Sequence, residues 1–127
     1  MELISNVKFD KNGLIPAIIV DIADNQVLTL CYMNDEALKT TIETGKVHVF
    51  RRSKGRLMLK GETSGHIQTV KEIYIDCEGN SIEFKVEQKV AACHAGYKSC
   101  YYRKCDTDGN NLNIVEKKVF DDADVYK

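Results

Sequence analysis

The sequence predicts a single α+β domain, predominantly β: a small sheet-rich unit with one main helix over about residues 34–44. Three observations carry that expectation. Runs rich in β-branched or alternating apolar residues recur at 15–22, 27–33, 46–52, 56–60, 67–76 and 81–90, as half-buried strands require. Short, turn-forming connections separate several of them, which implies hairpins. The length of 127 residues, with 43% hydrophobic and 29% charged residues and Pro16 as the only proline, fits one domain spanning 1–127 and excludes disordered and collagen-like classes.

Taken in order, residues 1–10 include Glu2, Lys8 and Asp10 and contain no signal-type apolar core. The longest apolar run, 14–20, falls far short of the ~20 residues a membrane helix needs, so a cytoplasmic protein is expected. Cys31 sits within the run 27–33, where a thiol reads as a small buried hydrophobe. Asn34 is a helix N-cap, Asp35 and Glu36 suit the positive end of the helix dipole, and Gly45 can end the helix. Ala37, Leu38, Thr41 and Ile42 would form its inward face. Lys54-Gly55 and Glu78-Gly79-Asn80 are tight-turn sequences. After the turn signal Asp108-Gly109-Asn110-Asn111, the stretch 112–119 is a candidate further strand, and Asp121-Asp122-Ala123-Asp124 reads as a solvated acidic end.

The 18 Lys and Arg nearly balance 19 Asp and Glu, a net charge of -1 that gives no general reason to bind nucleic acid. Five cysteines without a signal peptide favour metal binding or catalysis over a disulfide framework. Cys93, His94 and Cys100 are close in sequence, and Cys77 lies at the turn before the preceding strand. Zinc is the natural guest of such a set, and it holds two ligand sulfurs roughly 4 Å apart. A straight helix would separate residues 93 and 100 by ~10.5 Å along its axis, so the segment must bend, with Gly96 the obvious place. A closed Cys3His structural site and a catalytic site with His94 free both fit these residues. Cys105, among bulky and cationic neighbours, reads as a spare thiol.

Asp76, Glu78 and Asn80 alternate around Cys77, which in an extended chain turns the oxygens one way and the thiol the other. Such an arrangement suits magnesium on oxygen and zinc on sulfur, and a plain polar turn suits the same residues. Arg51, Arg52, Lys54, Arg56 and Lys60 lead into Gly61-Glu62-Thr63-Ser64-Gly65-His66, where cations, backbone N–H groups and hydroxyls suit phosphate. The P-loop pattern is missing, and a charged hairpin facing solvent is the plainer alternative.

Leu30-Cys31-Tyr32-Met33-Asn34, Arg52-Ser53, Lys60-Gly61-Glu62-Thr63-Ser64-Gly65, Asp76-Cys77-Glu78 and the segment from Cys93-His94 to Cys100-Tyr101 occur in an order that resembles the phosphoribosyl-AMP cyclohydrolase family of histidine biosynthesis. The resemblance covers about 24–102. It implies a zinc-dependent hydrolase that opens the N1–C6 bond of an N1-ribosylated adenine nucleotide, with Cys77, Cys93 and Cys100 on zinc and His94 catalytic. It implies an intertwined homodimer in which one subunit supplies Cys77 and its partner the other two thiols. It carries magnesium over to Asp76, Glu78 and Asn80, and substrate binding to Arg52, Lys54, Lys60, Glu62, Thr63 and Ser64, with Arg52, Lys54 and Lys60 on the phosphates. This sequence departs from the family pattern where Glu78 and Asn80 replace aspartates, where Arg51 and Lys54 stand for the usual Ser and Arg, and where Met58 stands for a common Trp. A zinc-stapled nucleotide-binding module, or a related cyclohydrolase for another purine nucleotide, is the alternative function.

Overall fold

The computed structural model describes residues 1–51, 55–60, 67–88 and 96–119. Arg52, Lys54, Glu62, Thr63, Ser64, Cys93 and His94 lie outside the described residues, as do the far ends of the expected strands 46–52 and 81–90 and the acidic stretch 121–124.

A single helical turn, α1 (Glu2–Ser5), which the sequence reading missed, precedes β1 (Ile15–Asp21) and β2 (Val27–Met33). The main helix, α2 (Asp35–Thr44), leads to the hairpin β3 (His48–Arg51) and β4 (Arg56–Leu59), then β5 (Gln68–Ile75) and β6 (Ile82–Gln88). The main sheet has the order β2-β1-β6-β5. β1 runs antiparallel to β2, with Ile15 opposite Met33 and a bulge after Ile19, and β5 runs antiparallel to β6. The pairing of β1 with β6 is parallel, Ala17 opposite Ile82 and Asp21 opposite Val86.

The β3–β4 hairpin is stitched to this sheet through the residues after α2. Val47 N–H donates to the Gln68 carbonyl (3.0 Å), Val70 N–H to the Gly45 carbonyl (2.7 Å) and Lys60 N–H to the Val47 carbonyl (2.8 Å). Lys60, Val47, Gln68 and Gln88 thus form one cross-strand row.

The helix forms for the reasons its sequence indicated. The Asn34 side chain accepts from Ala37 N–H at 2.8 Å, and Gly45 ends the helix at φ 72°, its N–H donating to the Thr41 carbonyl. Ala37, Leu38 and Thr41 are buried and Ile42 packs against the core. Thr41 also fixes the helix to β3, because its hydroxyl accepts from His48 N–H at 2.9 Å while donating to the Ala37 carbonyl at 2.8 Å. The core around this helix is Ile15, Ala17, Ile19, Leu28, Met33, Val47, Val49, Ile82, Phe84 and Val86, the inward positions of the strands.

The stretch 112–119 does add a strand, but a short one: β8 (Asn113–Ile114), paired with β7 (Arg103–Lys104), while Leu112, Ile114, Val115 and Val119 are exposed. An apolar run becomes a longer strand only where a neighbouring strand and a buried face await it, and β7 offers two residues.

Candidate metal centre

Cys77 stands exposed in the turn between β5 and β6. The turn is closed by Asp76, whose N–H donates to the Ser81 carbonyl (3.1 Å) and whose carbonyl accepts from Gly79 N–H (3.2 Å). Asp76 Oδ1 accepts the N–H groups of Glu78 (3.1 Å) and Asn80 (2.8 Å), and Oδ2 accepts the Ser81 hydroxyl (2.8 Å). These bonds, that of Ser81 first, hold the Asp76 carboxyl below the ordinary carboxylate range. Glu78 Oε2 accepts the Asn80 side-chain amide at 3.0 Å. Gly79 is required here: its φ is 74°, its carbonyl accepts Lys8 N–H at 2.8 Å, and a Cβ would strike the Asn6 carbonyl oxygen.

Cys100 is also an exposed thiol, on a segment laid along the outer edge of β2. Its N–H donates to the Leu28 carbonyl at 2.7 Å. The buried Ser99 hydroxyl donates to the Val27 carbonyl (2.7 Å) and accepts Tyr101 N–H (2.9 Å). Lys98 Nζ bridges Asp24 (2.6 Å) and Asp21 (3.1 Å) in the β1–β2 connection. The hydrogen bond to Asp24 leads in raising the Lys98 ammonium above its ordinary value, and the same bond lowers the Asp24 carboxyl. Tyr97 and Tyr102 stack with centroids 3.8 Å apart, and Gly96, where a bend was expected, has a φ of 101°. Sequence reasoning missed Lys98 and Ser99 as anchors. The available signal was their place directly before a candidate ligand.

Lys60 is half-buried at the end of β4. Both Lys60 and Cys100 act electrostatically on Cys31, whose enclosed thiol is pushed up to about 12, chiefly by burial, with Lys60 opposing and Cys100 adding to the shift. Cys31, expected as a buried small residue, is partly buried: it packs against the core and donates weakly to the Ala17 carbonyl at 3.6 Å. Cys105 is exposed.

The chain keeps its two described candidate thiols far apart. The Cys77 turn adjoins Ile82, which is opposite Ala17, so it lies at the Ile15 end of β1. Cys100 is bonded to Leu28, whose neighbour Val27 pairs with Val20 near the other end of β1. At ~3.3 Å per residue along a strand and roughly 5 Å between strands, the two lie on the order of 20 Å apart. Among the described residues, no group of at least three His, Cys, Asp or Glu side chains is close enough to hold a metal ion.

The structure is thus a strand-rich α+β domain that presents one exposed thiol from a hairpin turn and another from a segment along the edge of its sheet. The sequence profile of phosphoribosyl-AMP cyclohydrolase matches residues 29–102. The phosphoribosyl-AMP cyclohydrolase of Chloroherpeton thalassium is 48% identical over 126 residues, covering 99% of this chain and 90% of the relative. That of Methanosarcina mazei is 50% identical over 121 residues, covering 95% and 96%. The histidine biosynthesis bifunctional protein HisIE of Thermoanaerobacter pseudethanolicus is 49% identical over 125 residues, and this chain spans 57% of its length. The chain belongs to the phosphoribosyl-AMP cyclohydrolase family.

Proposed function

We infer that the chain hydrolyses the N1–C6 bond of the adenine ring of phosphoribosyl-AMP, giving the formimino carboxamide nucleotide of histidine biosynthesis. The observation that carries this reading is the family match across 29–102, which spans Lys60, Cys77, Cys93, His94 and Cys100 together. Hydrolysis of synthetic phosphoribosyl-AMP, followed by ultraviolet absorbance with and without zinc chelation, tests it. No zinc-dependent change in absorbance would refute it.

Zinc suits the donor set, since Cys77 and Cys100 are exposed thiols and soft sulfur is its preferred partner. Cys77, Cys93 and Cys100 would hold it. Bound there, zinc supplies Lewis acidity that makes water a stronger acid near neutral pH. Ribosylation at N1 leaves C6 electron-poor. His94 takes the proton of the water that adds to C6, and the N1–C6 bond breaks with the electron pair and a proton going to N1. Lys60, with Arg52 and Lys54, would neutralise the substrate's phosphates, while Glu62 and the hydroxyls of Thr63 and Ser64 would add hydrogen bonds to the substrate.

The centre is read as shared between two copies. A separation on the order of 20 Å between Cys77 and Cys100 is far from the roughly 4 Å between sulfurs on one zinc, which supports a site that takes Cys77 from the other subunit. Ile73, Tyr74 and Ile75 support this, since they leave an exposed apolar stretch on edge strand β5 directly before Asp76. No described helix is long and apolar enough to cross a membrane. A reducing cytoplasm is the compartment that keeps such thiols available for metal. Magnesium at Asp76, Glu78 and Asn80 does not fit the bonding of that turn.

A further inference from the structure

We propose that Asp76 is a positioning residue for the Cys77 thiol, and that the 76–81 turn is held by hydrogen bonds within the protein rather than around magnesium. The proposal rests on the reading of Cys77 as a zinc ligand. A carboxylate offers about four lone-pair sites. Three are committed to Glu78 N–H, Asn80 N–H and the Ser81 hydroxyl. Glu78 is turned toward Asn80, which is a neutral amide and donates to it at 3.0 Å. Magnesium demands near-octahedral oxygen ligands at about 2.0–2.1 Å. Only one Asp76 lone pair, on Oδ2 beside the Ser81 hydroxyl, remains for an ion, and gathering Glu78 and Asn80 around it would first break the bond between those two side chains.

The same bonds define where Cys77 stands. On one side of it, Asp76 is joined to Ser81 through main chain and side chain. On the other, Gly79 is held against Asn6 and Lys8 with no room for a side chain. The thiol is presented outward from a backbone fixed on both sides, so little freedom remains to be lost when it binds metal.

The experiment compares the full chain with Asp76→Asn and Asp76→Ala. Asparagine keeps an acceptor for the two N–H groups, and the Ser81 hydroxyl can reverse its role toward the new amide. Zinc affinity, measured by competition with a chromogenic chelator, should stay within about threefold in Asp76→Asn and fall roughly 10-fold or more in Asp76→Ala, the usual effect of removing a group that orients a ligand. In metal-free protein, hydrogen exchange at the Glu78 and Asn80 amides should be slow in the parent and in Asp76→Asn and fast in Asp76→Ala. Millimolar magnesium should shift neither amide.

Stoichiometric magnesium binding that disappears in Asp76→Asn would overturn the proposal. Parent zinc affinity in Asp76→Ala would overturn it as well. Should Asp76→Ala fail to fold, Ser81→Ala removes only the Oδ2 bond and is expected to lower zinc affinity in the same direction by less; unchanged affinity there counts against positioning. A parent protein that takes no zinc refutes the ligand reading of Cys77 and with it the positioning, while amide exchange separately decides whether Asp76 closes the turn.

Discussion

Ser99→Ala tests the docking of the Cys100 segment most directly. The hydroxyl is fully buried and makes a bond in each direction, to the Val27 carbonyl at 2.7 Å and from Tyr101 N–H at 2.9 Å. Losing a buried partner costs about 1–3 kcal/mol per group left unsatisfied. Val27 and Tyr101 are themselves exposed residues, 42% and 56%, so water recovers part of the loss. The expected destabilisation is therefore about 1–2 kcal/mol, a fall in melting temperature on the order of 5 °C for a domain of this size. Urea and thermal unfolding of the metal-free protein at one fixed protein concentration measure it. Zinc should also leave the variant faster, since Cys100 N–H bonds the next carbonyl along, that of Leu28. A change below about 0.3 kcal/mol would refute the reasoning and mean that Lys98, the Tyr97–Tyr102 stack and the Cys100–Leu28 backbone bond hold the segment without it.

Three further outcomes are expected. Mixing inactive Cys77→Ser with inactive Cys93→Ser under proven subunit exchange should restore part of the activity, because one site of a mixed dimer regains all its thiols; no recovery points to sites within one chain. His94→Ala should keep zinc and fold but lose turnover on the order of 10²–10⁴-fold, the contribution of a positioned base; loss of zinc would make His94 a ligand, and unchanged turnover would exclude both roles. Cys31, with its thiol raised from 9.0 to about 12, should resist alkylation at pH 8 in the folded protein while Cys105 reacts. Its neutral form is retained by the fold, so its contribution is complete below pH 9 and falls as pH rises toward about 12. Rapid labelling of Cys31 at pH 8 under native conditions would contradict its enclosure.

Local patterns were legible because short-range physics sets them. The alternation along β1, the Asn34 cap, the Gly45 stop and the bend at Gly96 each depend on residues within a turn or strand of themselves. Spacing alone brought the thiols of Cys77 and Cys100 into consideration as metal ligands, and motif order supplied the family. Three matters waited for the tertiary structure. The parallel pairing of β1 with β6 joins strands far apart in sequence, and it carries the Cys77 turn to the end of the sheet away from Cys100. The anchoring of Cys100 depends on Lys98 meeting Asp21 and Asp24 and on Ser99 meeting β2, contacts that exist only once the chain returns to that edge. Asp76 is the third case. An aspartate beside a cysteine serves a metal or a turn equally well in one dimension, and only the positions of the Glu78 and Asn80 amides and the Ser81 hydroxyl reveal which groups its oxygens serve.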